Sequence, residues 1–141
     1  MFKIKVICPG KIKEPWLQEA LNDYEKRLQN RLSLQWVLAK SDSHLEELCL
    51  KEDFYICLDI QGTSYTSHEF SQKILQFLET RGSRLCFVIG GALGLGPSLL
   101  KKANAILSLS SLTFTHQMIR LILLEQLYRA LEINRGSPYH K

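Results

Sequence analysis

Two seven-residue stretches near the middle of the chain, "FYICLDI" (54–60) and "RLCFVIG" (84–90), are almost entirely apolar. A strand that is apolar on both faces is typical of a parallel sheet covered by helices on both sides. Parallel strands also need long crossover connections, which are usually helices. These two stretches therefore predict an α/β fold with a mostly parallel sheet and helices on both faces.

Strand-like and helix-like segments alternate along the rest of the chain. Alternating or apolar patterns predict further strands at 2–8, 32–39 and 105–110, which gives a sheet of five to six strands. Helical spacing and capping residues predict helices that begin at Pro15, at Ser41 or Ser43, after Thr66, at Pro97 and at about His116. No repeat or long linker divides the sequence, so we expect one domain over residues 1–141.

Composition limits the functional classes. The net charge of +4 is compatible with a polyanionic partner but does not require one. The four cysteines form no CxxC pair and the histidines do not cluster with other ligands, so we expect buried free thiols, a reducing compartment and no metal site. No stretch reaches the roughly 18 consecutive apolar residues of a membrane span. These features predict a cytoplasmic protein without membrane contact.

The last helix, "HQMIRLILLEQLYRALEI" (116–133), is apolar around most of its circumference. One face can pack on the sheet, and the remainder would form a large exposed apolar patch of the kind that marks an interface. This pattern favours a symmetric homodimer through the last helix. Coverage of the helix by N-terminal elements of the same chain is the alternative.

The strand at 84–90 leads into "FVIGGALGLGPS" (87–98), with four glycines in seven positions. A dinucleotide site requires G-x-G-x-x-G after the first strand and an acidic residue about 20 positions later. Here the spacing is G-G-x-x-G-x-G after the fourth strand, and the stretch 105–116 contains no acid. A Walker loop is also excluded, because no G-K-[ST] is present. The glycines form either a tight structural turn or a ligand loop of another kind.

A second unusual loop, "LSLSSLTFTH" (107–116), follows the next strand and is rich in small hydroxyl and apolar residues. In a parallel sheet both loops lie at the carboxyl ends of the strands, where ligands bind. Leu58, Leu109 and Leu112 would provide apolar walls, and backbone groups would form the rim. Such a pocket suits a mostly neutral, flat heterocycle.

Four segments occur in the same order as in a known family: "LDIQG" (58–62), "FVIGGALGLG" (87–96), "LSLSSLTFTHQMIRLILLEQLYRA" (107–130) and "INRGSPYHK" (133–141). Over essentially its whole length the chain resembles the RlmH family, the ribosomal RNA large subunit methyltransferases H of the SPOUT class. The ending "NRGSPYHK" is the most specific segment, because folding alone does not require a chain end with Tyr and His.

The resemblance implies a trefoil knot in the C-terminal half, which general topology rules would not predict. It also implies S-adenosylmethionine as the cofactor. The implied cofactor-binding residues are Leu58, Gly90, Gly91, Leu109, Ser110, Ser111, Leu112, Thr113 and Phe114. The family commonly has proline where this chain has Thr115, whose hydroxyl can cap the last helix.

The reaction implied by the resemblance is methylation of N3 of a pseudouridine in a stem-loop of 23S ribosomal RNA, without a metal. We expect Arg135, Tyr139 and His140 to be catalytic. Tyr139 would stack on or hydrogen-bond the base, His140 titrates near neutrality, and Arg135 would hold a phosphate or a carbonyl. An exposed, unordered chain end is the alternative.

Other functions remain open from the sequence. A different SPOUT enzyme could act on transfer RNA, although the chain has no added RNA-binding domain. A non-enzymatic α/β binding module that dimerises through the last helix is a third possibility. Arg120 is predicted either to pair across a dimer or to contact substrate, and His116 to be structural. The expected partners are large-subunit ribosomal RNA or the ribosome and a second copy of the chain.

Overall fold

The structure, a computed structural model, describes residues 1–140. Strands and helices alternate along the chain, as the sequence predicts. They are β1 (Phe2–Pro9), α1 (Pro15–Leu28), β2 (Leu32–Ala39), α2 (Asp42–Leu50), β3 (Ile56–Ser64), α3 (Ser67–Thr80), β4 (Arg84–Ile89), α4 (Pro97–Lys102), β5 (Ala105–Ser108) and α5 (His116–Arg135). The capping residues set the helix starts: Ser41 accepts a hydrogen bond from the His44 N–H, and Thr66 and Glu69 form a capping box.

The five strands form one sheet in the order β2-β1-β4-β3-β5, and every pairing is parallel. One buried cluster lies between the sheet and α1, α3 and α5, and a second lies on the other face beneath α2 and α4. Neighbouring residues of β4 alternate between these clusters, which explains why its sequence is apolar throughout. The predicted α/β fold with helices on both faces is confirmed, whereas the trefoil knot stays a prediction.

Strand β3 departs from the sequence prediction because it contains a bulge. Leu58 and Thr63 both pair with Leu107 of β5, so residues 59–62 leave the ladder before pairing resumes. A Cβ on Gly62 would lie 2.6 Å from the carbonyl carbon of Ile106, so this close approach requires glycine. The bulge carries residues 59–61 to the carboxyl edge of the sheet.

Helix α5 is covered within its own chain. It packs between α1 and α3, and every residue from His116 to Ile133 is buried or half-buried. The large exposed apolar patch expected on this helix is therefore not found, and the alternative of coverage by elements of the same chain is correct. Dimerisation through α5 stays a prediction, because Met118, Ile119 and Ile122 are only half-buried within one chain.

Arg120 of α5 makes contacts that the sequence did not predict. Its side chain is 1% exposed and donates hydrogen bonds to the backbone carbonyls of Pro9 and, at 3.0 Å, Gly10. Neither predicted role, dimer pairing or substrate contact, matches this position. Arg120 instead ties the start of α5 to the turn that follows β1.

All four cysteines are free and buried, as the sequence predicted. Burial is the main cause that raises the pKa of each thiol, to about 12 for Cys49 and Cys57. Between residues 1 and 140, no helix has both the length and the apolar character needed to cross a membrane.

Candidate functional site

A cavity of about 350 Å³ opens at the carboxyl edge of the sheet. It is formed by the β3 bulge, the glycine loop after β4, the loop after β5 and the start of α5. Eight of the nine predicted cofactor-binding residues line it: Leu58, Gly90, Gly91, Leu109, Ser110, Leu112, Thr113 and Phe114. Ser111 is exposed and is not part of the lining. The two loops therefore meet as the sequence predicted.

The glycine loop is a tight turn. The Gly94 N–H donates to the Gly91 carbonyl at 2.9 Å, and Gly94 has a φ of 75°. A Cβ on Gly90 would lie 2.7 Å from the Gly94 carbonyl carbon, whereas a Cβ on Gly91 would meet Pro9 and Asp42 at ordinary distances of 3.6 and 3.8 Å. The turn thus requires glycine at 90, and it brings backbone to the cavity wall.

The loop after β5 is held by its own hydroxyl groups. Ser108 Oγ donates to the Ser110 carbonyl at 2.8 Å, and Ser110 Oγ accepts from the Leu112 N–H at 2.9 Å. Thr115 Oγ1 accepts from the Met118 N–H at 3.2 Å and caps α5, as expected of this threonine. These bonds fix the loop while leaving the Leu112 side chain exposed at the cavity.

The cavity contains little charge. Asp59 is its one carboxylate, and no lysine or arginine within residues 1–140 belongs to the lining. Asp59 Oδ2 accepts from the Gln61 N–H at 2.9 Å, which shapes the bulge. Neither Asp59 nor Gln61 was predicted as a site residue, although an acid directly after an apolar strand is a signal for this edge of the sheet.

His116 also lines the cavity, at the first turn of α5. Burial, with the nearby charges of Arg120 and Lys13, lowers its pKa, so the ring is neutral at neutral pH. Its Nδ1 atom is buried and has no hydrogen-bond partner within residues 1–140. A structural role was predicted for His116, and its place in the cavity wall adds an unpaired polar atom beside the ligand space.

The three predicted catalytic residues lie outside this cavity. Arg135 binds Glu132, with Nε and NH2 at 2.9 and 3.1 Å from the carboxylate oxygens. The Tyr139 ring packs edge-on against Tyr128, with centroids 4.9 Å apart. The Arg129 guanidinium lies 4.9 Å above the Tyr139 ring. Up to His140 the tail is thus packed on α5, unlike the unordered chain end that was the alternative.

Helix α5 separates the tail from the cavity of its own chain. His116 at its start lines the cavity, and Glu132 near its end pairs at 3.2 Å with Arg31, which precedes β2 at the opposite edge of the sheet. His140 contacts Arg129, whose NH1 lies 2.9 Å from His140 Nδ1, and its ring packs edge-on against His68 at the start of α3, with centroids 4.7 Å apart. Arg129 is 10 residues from Ile119, the cavity residue of α5 nearest to it in sequence, or about 15 Å along a helix.

The chain matches one protein family over nearly its whole length. The family model described as "Predicted SPOUT methyltransferase" matches residues 2–140, and the chain belongs to this family. The relatives it matches include ribosomal RNA large subunit methyltransferase H of Protochlamydia amoebophila (strain UWE25), 48% identical over 141 residues with all of both chains covered. The protein of the same name from Streptococcus uberis is 40% identical, with 99% of each chain covered.

Solved structures share the fold at low identity. A "probable methylase family protein" from Haemophilus influenzae Rd KW20 gives a TM-score of 0.63 at 13% identity, covering 98% of this chain and 70% of that one. The SpoU methyltransferase AviRb from Streptomyces viridochromogenes, solved in complex with AdoMet, gives 0.51 at 12% identity and covers 94% and 58%. Similarity at this level shows the fold alone.

Metal ligands are not grouped in the part of the chain that the structure describes. Among residues 1–140 there is no cluster of three or more His, Cys, Asp or Glu side chains that could hold an ion.

Proposed function

We propose that this chain is an S-adenosylmethionine-dependent methyltransferase that acts on N3 of a pseudouridine in a stem-loop of 23S ribosomal RNA. The observation that carries the proposal is the cavity built by the glycine loop and the loop after β5. It lies in a chain whose whole length matches relatives named ribosomal RNA large subunit methyltransferase H.

The cavity fits this cofactor in size and in chemistry. Its volume of about 350 Å³ lies within the range of ligand pockets. Leu58, Leu109 and Leu112 provide apolar surface for the adenine ring, and the backbone of Gly90 and Gly91 provides polar groups at the wall. When bound, S-adenosylmethionine supplies an activated methyl group, so the protein must mainly orient the acceptor nitrogen and help it lose a proton.

In this proposal, the tail of one subunit completes the active site at the cavity of its partner. Tyr139 and His140 do not line the cavity of their own chain, and Arg129, which His140 contacts, lies about 15 Å along α5 from the nearest cavity residue of that helix. A symmetric homodimer with antiparallel α5 helices brings each tail to the other cavity. We therefore infer a homodimer whose active site is built from both subunits.

Apolar side chains at the cavity mouth provide a surface for that dimer. A second cavity of about 670 Å³ shares Gly91, Phe114 and His116 with the first and is mainly apolar. Trp16 on its wall is 54% exposed, and Leu112 beside it in the first cavity is 72% exposed. A partner chain that covers this face would bury these exposed apolar side chains.

His140 must leave Arg129 before it can accept a proton. A guanidinium can only donate, so His140 Nδ1 accepts from Arg129 and Nε2 carries the ring proton. Once released, Nδ1 is free to take the N3 proton of the substrate. Tyr139 would stack on the base, and Arg135 would hold a phosphate or a flanking carbonyl. The expected cytoplasmic location and the single domain remain part of this proposal.

The deciding experiment measures methyl transfer from labelled S-adenosylmethionine to three acceptors: unmodified ribosomes, free ribosomal RNA and transfer RNA. We expect transfer to the ribosomal acceptors at a single pseudouridine. Transfer only to transfer RNA would establish the alternative SPOUT enzyme. A protein that binds no cofactor at millimolar concentration in calorimetry would instead be a non-enzymatic binding module.

A further inference from the structure

The charge distribution of the cavity assigns a specific role to Asp59. We propose that the Asp59 carboxylate is the counter-charge for a cationic centre of the bound methyl donor, either its sulfonium or its ammonium. This inference rests on the proposed function, because it concerns the same cavity.

The position of Asp59 supports this role. It directly follows Leu58, the last residue of β3 before the bulge, and both residues line the cavity. Asp59 is half-buried, so its charge is only partly screened by water. A strand that continued regularly would have kept the residues after Leu58 in the ladder with β5. The bulge, which requires Gly62, places them at the cavity instead.

Within residues 1–140, Asp59 is the one charged side chain that lines the cavity. The other lining residues within 1–140 are apolar, hydroxyl, amide or glycine residues, apart from His116, which a lowered pKa keeps neutral. No basic side chain of the described lining neutralises the carboxylate. Its one hydrogen bond in the structure comes from the Gln61 N–H to Oδ2, so Oδ1 keeps its capacity for a ligand.

The chemistry of the donor and product makes the consequence measurable. S-adenosylmethionine has a sulfonium and an ammonium, S-adenosylhomocysteine keeps only the ammonium, and 5′-methylthioadenosine has neither cation. A carboxylate near the sulfonium favours the donor alone, and one near the ammonium favours both amino-acid ligands. A contact to the ribose or a purely structural role would affect all three ligands equally.

The test compares calorimetric dissociation constants of these three ligands for the wild-type protein and Asp59→Asn. Asparagine keeps an oxygen that can accept from the Gln61 N–H, so the variant removes the charge and preserves the bulge. We expect Asp59→Asn to bind S-adenosylmethionine about tenfold more weakly and 5′-methylthioadenosine unchanged. The loss for S-adenosylhomocysteine distinguishes the two cations: a small loss indicates the sulfonium, and an equal loss indicates the ammonium.

Asp53→Asn is the matched control, since Asp53 is exposed before the other end of β3 and its substitution removes the same net charge. We expect it to leave all three constants unchanged. Equal losses for all three ligands in Asp59→Asn, or no loss for any, would overturn the role of the charge. A wild-type protein that binds none of the ligands would instead contradict the proposed function, so the two failures are distinguishable.

Discussion

Gly90 and Gly94 approach each other so closely that a Cβ on Gly90 would lie 2.7 Å from the Gly94 carbonyl carbon. This contact closes the turn that forms one wall of the cavity. Gly91, its neighbour, has only ordinary contacts around the same position. The two adjacent glycines therefore differ in how strictly the structure requires them.

Gly90→Ala should open the turn and weaken S-adenosylmethionine binding by more than about tenfold. The reason is that the Gly94 backbone must move away from the added methyl group. Gly91→Ala is the matched control and should stay within about threefold of wild type. Calorimetry measures both, and equal affinities for the two variants would contradict the role of the Gly90–Gly94 contact.

Removal of residues 139–141 should leave S-adenosylmethionine affinity unchanged and reduce methyl transfer by at least about 100-fold. The tail lies outside the cavity, yet it holds the proposed proton acceptor. Mixing this truncated chain with Gly90→Ala should restore about a quarter of wild-type activity, because half of the dimers then contain one intact cavity beside one intact tail. An active truncation would remove the tail from catalysis. An inactive mixture, with subunit exchange demonstrated, would mean that each tail serves its own chain.

Arg120→Met should lower the free energy of unfolding by about 1–3 kcal/mol. Methionine fills similar space but leaves the Pro9 and Gly10 carbonyls without the guanidinium donor that they have now. Urea denaturation measures the change, with Arg84→Met at the exposed start of β4 as the control. A variant as stable as wild type would show that water replaces the guanidinium at no cost.

Glu132 should make the protein sensitive to acid. Burial alone would raise its pKa, but hydrogen bonds from Tyr128 and Arg135 and the charge of Arg31 together lower it below the usual 4.5. The unfolded chain then binds the proton more readily, so the stabilisation is complete above about pH 4.5 and is lost as pH falls through the lowered pKa.

Unfolding of the wild type and Glu132→Gln between pH 3 and 7 measures this effect. We expect the variant to be less stable by about 1–3 kcal/mol at pH 7 and the difference to shrink in acid. Glu47→Gln, at an exposed position of α2, should behave as wild type throughout. A stability difference that stays constant with pH would show that ionisation of the Glu132 carboxylate does not stabilise the folded protein.

Local chemistry explains why most of the elements could be predicted from the sequence. Pro15 can begin α1 because proline has no backbone N–H that would need a partner. The Thr66–Glu69 capping box begins α3 because its side chains accept hydrogen bonds from backbone N–H groups close by in sequence. The pairing of the two loops at one sheet edge also followed from the sequence, because carboxyl ends of parallel strands coincide.

Features that depend on distant residues were missed. The β3 bulge depends on the approach of Gly62 to Ile106 across the sheet, and its consequence is that Asp59 enters the cavity. The coverage of α5 depends on α1 and α3, whose positions no local pattern specifies. A helix that looked too apolar for one chain is buried by that same chain.

The sequence by itself determined the alternation of strands and helices, the burial of the cysteines and the edge at which two loops form a cavity, because periodicity, capping and strand polarity are local properties. Only the tertiary structure decided that Arg120 holds the β1 turn, that Asp59 belongs to the cavity and that the tail packs far from it. Each of these depends on where separate elements come together in space, which is set by the packing of the whole sheet and its helices.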